Sequence, residues 1–336
     1  MPISAPTTTP STGHRAPESA VPGPPLVTGG TGFAGSHLID HLLEEEPSVA
    51  AWSHRGSRDA AAGHGAVRWS AVDLLDREAV AEAVAAIEPS VIYHCAGIAH
   101  VGDAWSQPAR ALGVNALGTH HVLEAVRAAR LDCPVLVTGS ALVYRPSLHP
   151  VAEDDPIGPS DPYGLSKLAQ EMVALRASDA PVFLVRPFNH AGPRQSDTFV
   201  TSSFARQIAE IEAGRREPVL RVGNLEASRD ITDVRDTVRA YRLVVRHGRP
   251  HRPYNVCSGR AYRVADLLDI LIGRSPVSIR IEQDPSRLRP SDNPVVAGNP
   301  SRIGAEVRWE ARIPIERTLD DLLTAWRERI NAAPGC

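Results

Sequence analysis

The sequence has little of what marks a secreted, membrane-spanning or nucleic-acid-binding protein. Its 336 residues include four cysteines, Cys95, Cys133, Cys257 and Cys336, set far apart and without a CxxC pair. That spacing argues against a disulfide framework and a cysteine-based zinc site, so no metal and a cytoplasmic location are expected. Net charge is only −3, so no global basic field draws the chain to nucleic acid or to an anionic membrane. Any phosphate must be held locally, by helix ends and individual arginines. No apolar run approaches the ~20 residues of a membrane span, and no basic segment followed by an apolar one marks an export signal. Residues 1–24 are dense in Pro, Thr, Ser and Ala, which predicts a disordered tail without fold content.

What is present is an ordinary globular composition, 43% hydrophobic and 22% charged, on a chain long enough for two lobes sharing a cleft. Apolar runs at Leu26–Val27, Val49–Trp52, Ala66–Trp69, Val91–His94, Val135–Val137 and Val182–Val185 read as strands. Between them, Phe33–Glu45, Glu78–Ile87, Asn115–Arg130 and Ser166–Ala177 read as helices. Strands alternating with helices predict an α/β fold, a Rossmann-like, doubly wound parallel sheet. Beyond Arg186 the pattern loosens: helices are expected near Phe204–Ala213, Asp233–Val245 and Val264–Leu271. Tyr254–Val256 is a short strand able to rejoin the main sheet. The last helix carries Leu319, Leu322, Leu323, Trp326 and Ile330 on one stripe, with Thr318 as N-cap. The expected division is a dinucleotide lobe of 25–187 plus 231–258 and a smaller, discontinuous α/β substrate lobe of 188–230 plus 259–331.

Glycines at Gly29, Gly32 and Gly35 fall between the first strand and first helix. Gly29 permits a tight turn, Gly32 a close approach of pyrophosphate, and Gly35 close packing of helix on strand; Phe33 and Ala34 lie in the same turn. The positive helix end would hold the phosphates. An NAD enzyme usually has an acid at the end of the second strand. Here Ser53, Arg55 and Arg58 stand there instead and suit a 2′-phosphate, so NADPH is expected over NADH. Asp73 contacts an adenine amine or serves as a turn aspartate. Ala96 and Gly97 end the fourth strand, where the strand order should reverse beside the cofactor.

Tyr163 and Lys167 form a YxxxK pair on one helix face, and Ser140 ends the strand before them. A free tyrosine titrates near 10. A lysine ammonium beside it is expected to lower that value for acid–base work and to reach the nicotinamide ribose. Ser140 would fix the substrate oxygen. Asn115 either holds a water behind the lysine or caps its helix.

The order glycine turn, serine, YxxxK resembles the extended short-chain dehydrogenase/reductases that act on nucleotide sugars. Arg186–Pro193, Thr198–Val200, Val222–Asp230, Tyr254–Gly259, Asp284–Asp292 and Gly298–Ser301 resemble in particular the GDP-4-keto-6-deoxy-mannose reductases. The resemblance implies cofactor contacts also at Leu74 and Arg186. It implies contacts to a GDP-linked sugar at His100, Ser140, Ala141, Asn189, Val200, Arg206, Arg229 and Arg289, the arginines on phosphate or as plain surface charge. Ala141 and Leu142 stand where the similar dehydratases carry an acid–base pair, and Ala141 where epimerase–reductases carry cysteine. Keto reduction, to GDP-rhamnose or a 6-deoxy-talose, is therefore implied, with a 4-epimerase, a dTDP-sugar reductase and a non-catalytic dinucleotide sensor as alternatives. Arg145 replaces the glycine that usually follows Tyr144. A homodimer through the helices at Asn115–Arg130 and Ser166–Ala177 is also implied; Val122, Leu123 and Val126 either serve that interface or face the sheet.

Overall fold

A computed structural model describes residues 23–54, 65–177, 180–288 and 293–332. The first lobe is built from strands β1 (Leu26–Thr28), β2 (Val49–Ser53), β3 (Val67–Ala71), β4 (Ile92–His94), β5 (Val135–Thr138) and β6 (Val182–Pro187). Helices α1 (Phe33–Leu43), α2 (Arg77–Ile87), α3 (Val101–Ser106), α4 (Pro108–Leu112), α5 (Gly118–Ala128) and α6 (Pro162–Leu175) connect them. The second half adds β7 (Asn189–Ala191), α7 (Val200–Glu212), β8 (Val219–Val222), β9 (Ser228–Asp233), α8 (Val234–His247) and β10 (Pro253–Val256). It ends with β11 (Ala261–Arg263), α9 (Val264–Ile272), β12 (Arg280–Gln283), β13 (Val295–Val296), α10 (Ser301–Val307) and α11 (Ile315–Ala332).

The main sheet has seven strands in the order β10-β6-β5-β4-β1-β2-β3, all parallel. Alternate residues feed opposite faces, as strand pleating requires. In β5, Val135 and Val137 enter the core under α2, α5 and α6, while Leu136 enters the core under α1 and α8. The order reverses between β1 and β4, which opens a crevice at their carboxyl ends. A third core joins α7, α9 and α11 in the smaller lobe. Tyr254–Val256 does rejoin the main sheet, pairing with β6.

Several sequence expectations need correction. Residues 301–309, expected in the smaller lobe, pack on the first: Ile303, Val307 and Trp309 join Val238, Tyr241 and Tyr254 in one core. Thr318 is not a cap; it lies inside α11 and donates to Asp233 Oδ2 at 2.8 Å. The helix expected at Asn115 starts at Pro108 and runs through a π turn, Gly113–Leu117, so Asn115 is mid-helix and not an N-cap. Helix α6 starts at Pro162, earlier than Ser166, because Asp161 accepts from the Gly164 N–H at 2.9 Å and proline suits the first helical position. Val122, Leu123 and Val126 face the sheet. Of the tail expected at 1–24, residues 1–22 lie outside the described residues, and Gly23 pairs with Pro89.

Candidate active site

The cleft begins at the glycine turn. Gly29 has φ +67°, a left-handed conformation that favours glycine. A Cβ at Gly35 would sit 2.2 Å from the Gly29 carbonyl oxygen, so only glycine lets α1 come this close to β1. Gly32 is the N-cap of α1 and offers no side chain to its first turn, which leaves N–H groups for an anion. Gly29, Gly32, Phe33, Ala34, Gly35, Ser53, Asp73, Leu74, Ala96 and Gly97 all line one cleft. Its volume of about 1360 Å³ exceeds the ~300–1,000 Å³ of a site for one small molecule, so a dinucleotide and a second ligand fit together. Trp52 also lines it, and its buried Nε1 has no protein partner among the described residues. The cradle fits a dinucleotide cofactor. Asp73 faces the cleft yet also accepts from the Leu75 N–H at 3.0 Å, so the turn role is real. Arg55 and Arg58 lie outside the described residues.

Two expected cofactor-side residues are engaged by protein partners. Arg186 does not line the cleft. Its guanidinium forks onto buried Glu171 and donates to Tyr144 Oη at 2.8 Å and to the Glu153 carbonyl at 3.0 Å. Asn115 is wholly buried; its Oδ1 accepts from Ile98 N at 2.8 Å, and its Nδ2 donates to Ile98 O at 3.2 Å and Ser166 Oγ at 2.8 Å. Both amide hydrogens are spent on protein, so it clamps the loop after β4 and leaves no donor for a water.

Ser140, Tyr163 and Lys167 meet on the cleft wall. Ser140 caps the short turn Ala141–Val143, accepting from Leu142 N at 3.1 Å. The first turn of α6 packs on that turn: a Cβ at Gly164 would lie 2.3 Å from the Leu142 carbonyl oxygen. Glycine there lets Tyr163 hydrogen-bond Ser140. Lys167 Nζ donates to Thr138 O at 2.9 Å and Gln170 Oε1 at 2.8 Å. The expected lowering of the tyrosine is corrected: burial pushes Tyr163 up to about 12, opposed by the Ser140 hydrogen bond, while the lysine points its bonds elsewhere. Burial also lowers Lys167 to about 8.

On the substrate side His100, Ala141, Asn189, Val200 and Arg229 line the cleft. Arg229 also donates to Ser228 O and Asn293 O. Arg206 does not line it; Asp197 and Glu210 hold its guanidinium on the outer face of α7. Arg289 lies outside the described residues. The sequence reading missed Arg287, Asn224 and Phe199, which line the same wall; Arg287 sits two positions before the arginine singled out. It also missed the stack of Phe33, from the glycine turn, on His190 of β7, with ring centres 5.5 Å apart. Arg145 is exposed and packs beside Gly158.

Known proteins share this architecture. The family described as GDP-mannose 4,6 dehydratase matches residues 26–322. The chain is similar to the GDP-6-deoxy-D-mannose reductase of Pseudomonas aeruginosa, 33% identical over 91% of this chain and 97% of that one. It is also similar to the UDP-glucose 4-epimerase of Bacillus subtilis, 28% identical over 90% and 95%. A solved structure, RMD from Pseudomonas aeruginosa complexed with NADPH, superposes with a TM-score of 0.78 at 32% identity, over 91% of this chain and 99% of that one. With the glycine cradle, the Ser–Tyr–Lys wall and a match along nearly the whole fold, the chain belongs to the GDP-mannose 4,6 dehydratase family of extended short-chain dehydrogenase/reductases.

Proposed function

We propose that this protein is an NADPH-dependent reductase that converts the 4-keto group of GDP-4-keto-6-deoxy-mannose to an alcohol, giving GDP-rhamnose. One observation carries the reading: Tyr163 and Lys167 stand with Ser140 beside a cleft large enough for two ligands, while Ala141 and Leu142 offer no group for dehydration. The name of the Pseudomonas aeruginosa relative and the NADPH in its solved counterpart support both substrate and cofactor.

Bound NADPH would supply the hydride. Burial keeps the Tyr163 hydroxyl protonated at neutral pH, the form a reduction needs, since the phenol must give its proton to the carbonyl oxygen as charge develops there. Ser140 orients that oxygen, and the Lys167 ammonium lends positive charge next to it. Gly29, Gly32 and Gly35 give the pyrophosphate its cradle, with Ser53 at the adenosine end. Asn189 and Arg229 hold the sugar diphosphate, and His100 and Val200 border the sugar. The dinucleotide lobe comprises 25–187 and 231–258, joined by 301–309.

The same layer of helices leaves Leu117, Leu165 and Met172 exposed, and a homodimer would cover them; light scattering should show a dimer that Leu165→Glu with Met172→Glu splits. A cytoplasmic site suits the thiols Cys95, Cys133 and Cys257, which are unpaired in disulfides. The function is tested by product analysis: the reductase forms one NADP⁺ per GDP-6-deoxy sugar, with proton couplings that separate rhamnose from talose. Interconversion of C4 epimers without net NADPH use would overturn it in favour of an epimerase.

A further inference from the structure

Among the 36 Lys and Arg residues, Lys167 is the only lysine. Arginine does not deprotonate in proteins, whereas a buried lysine titrates readily, so the chain keeps a side-chain amine only here. Its surroundings are unusual for an ammonium. Lys167 is 4% exposed, and its two protein acceptors, Thr138 O and Gln170 Oε1, are both neutral. Three N–H groups and two acceptors leave one for the cleft that it lines.

Gln170 is itself held from behind. Its Nε2 donates to Thr119 Oγ1 at 2.9 Å, and Thr119 gives its one hydrogen to Asn115 O at 2.7 Å. His94 Nε2, 2.9 Å from the same oxygen, must then be the donor. Its Nδ1 accepts from Thr28 Oγ1 at 2.8 Å, and Thr28 accepts from Ala96 N at 3.2 Å. Every donor and acceptor from the lysine to the end of β1 has one direction, and that direction fixes which way the Gln170 amide faces. The titratable groups around the amine are His94 from β4, Cys95 directly after it and Tyr163 from α6. Burial pushes the Cys95 thiol and the Tyr163 phenol up to about 12 and His94 down to about 3, so all are neutral near pH 7. No carboxylate is among the groups acting on Lys167.

We propose that Gln170 is a positioning residue: it holds the Lys167 ammonium against the cleft with a neutral acceptor and so sets both its place and its charge state. A carboxylate at this position would pin the proton on the amine; an apolar side chain would release it. The proposal rests on the reading of Tyr163 and Lys167 as the acid–base pair.

A single lysine makes the test direct. Full-length protein carrying lysine labelled with ¹³C at Cε and ¹⁵N at Nζ gives one signal, whose shift against pH reports Lys167 without any turnover. Gln170→Glu and Gln170→Met are close in size to glutamine, and thermal unfolding and NADPH binding check that each is folded. The titration should move up by at least about one pH unit in Gln170→Glu and down in Gln170→Met, and the alkaline limb of kcat should follow it with little change in the Kd of NADPH. An unmoved lysine signal in both folded variants would overturn the proposal. A signal that moves while the limb of kcat stays in place would uphold the grip of Gln170 and overturn the acid–base role of Lys167 instead.

Discussion

The two walls of the cleft are built by opposite means. The catalytic wall, from β1, β4, β5, the π turn leading into α5, and α5 and α6, is buried: Asn115, Thr119, His94, Ser166 and Gln170 hydrogen-bond to other protein groups. The substrate wall, from β7, α7 and the segments around Gly223 and Arg287, is partly exposed and rich in arginine. Its cations are paired with part-buried carboxylates or backbone oxygens, as Arg287 is with Asp284 and Arg229 with Ser228 O. The first construction holds a few atoms in place through buried hydrogen bonds, as proton transfer demands. The second binds charge through groups that can rearrange, which suits recognition of a diphosphate. Changes on the first wall should therefore lower kcat, and changes on the second should raise KM.

That contrast breaks if the largest effect does not come from the amine. Lys167→Arg keeps a positive charge but cannot fit the two short bonds to Thr138 O and Gln170 Oε1. A fall in kcat of about 10²–10⁴-fold is expected in single-turnover kinetics; activity near the parent would show that charge alone suffices. Next in size is Glu171→Ala. Both Glu171 and Arg186 are about 5% exposed at the side chain, so removing the acid strands a buried cation. Denaturant unfolding should show a loss of about 3–5 kcal/mol.

Arg229→Ala sharpens the other side: KM for the nucleotide sugar should rise about tenfold or more, with kcat near the parent. A matching drop in kcat would place Arg229 in the transition state. A smaller effect is the pH dependence. Tyr163 remains protonated until about 12 and Lys167 loses its proton near about 8. With the ammonium as the active form, as proposed, the reduction rate should be level below pH 7 and fall as pH rises through about 8. A limb near 10, where an ordinary amine and an ordinary phenol both titrate, would contradict the lowering of Lys167 by burial. The smallest effect is expected for Arg206→Ala, which breaks only half-exposed ion pairs on α7; KM should hold and stability change by less than about 1 kcal/mol.

The same division decides how much could be read from the sequence. The strand–helix order and the Ser140, Tyr163 and Lys167 set were legible because period, glycine spacing and YxxxK are local patterns. Long-range partners were not. Arg186 follows the apolar run of β6 and could equally meet phosphate; only the fold shows Glu171, fifteen residues earlier, turned toward it. Asn115 looked like a cap because the periodic apolar stripe begins there, yet helix continues upstream through a π turn. The pull of lysine on tyrosine was inferred from proximity, whereas burial proved the larger influence. On the substrate wall, Arg287 and Phe199 were missed because no period marks a loop residue that faces a cleft.

The central claim, reduction of a keto sugar by the Tyr163 wall, is tested most directly by NADPH absorbance with GDP-4-keto-6-deoxy-mannose formed in situ from GDP-mannose. The parent protein should consume NADPH in step with the sugar, and Tyr163→Phe should bind NADPH with equal affinity while losing about 10²–10⁴-fold in rate. Equal consumption by the two proteins, or none by the parent with cofactor bound, would contradict it.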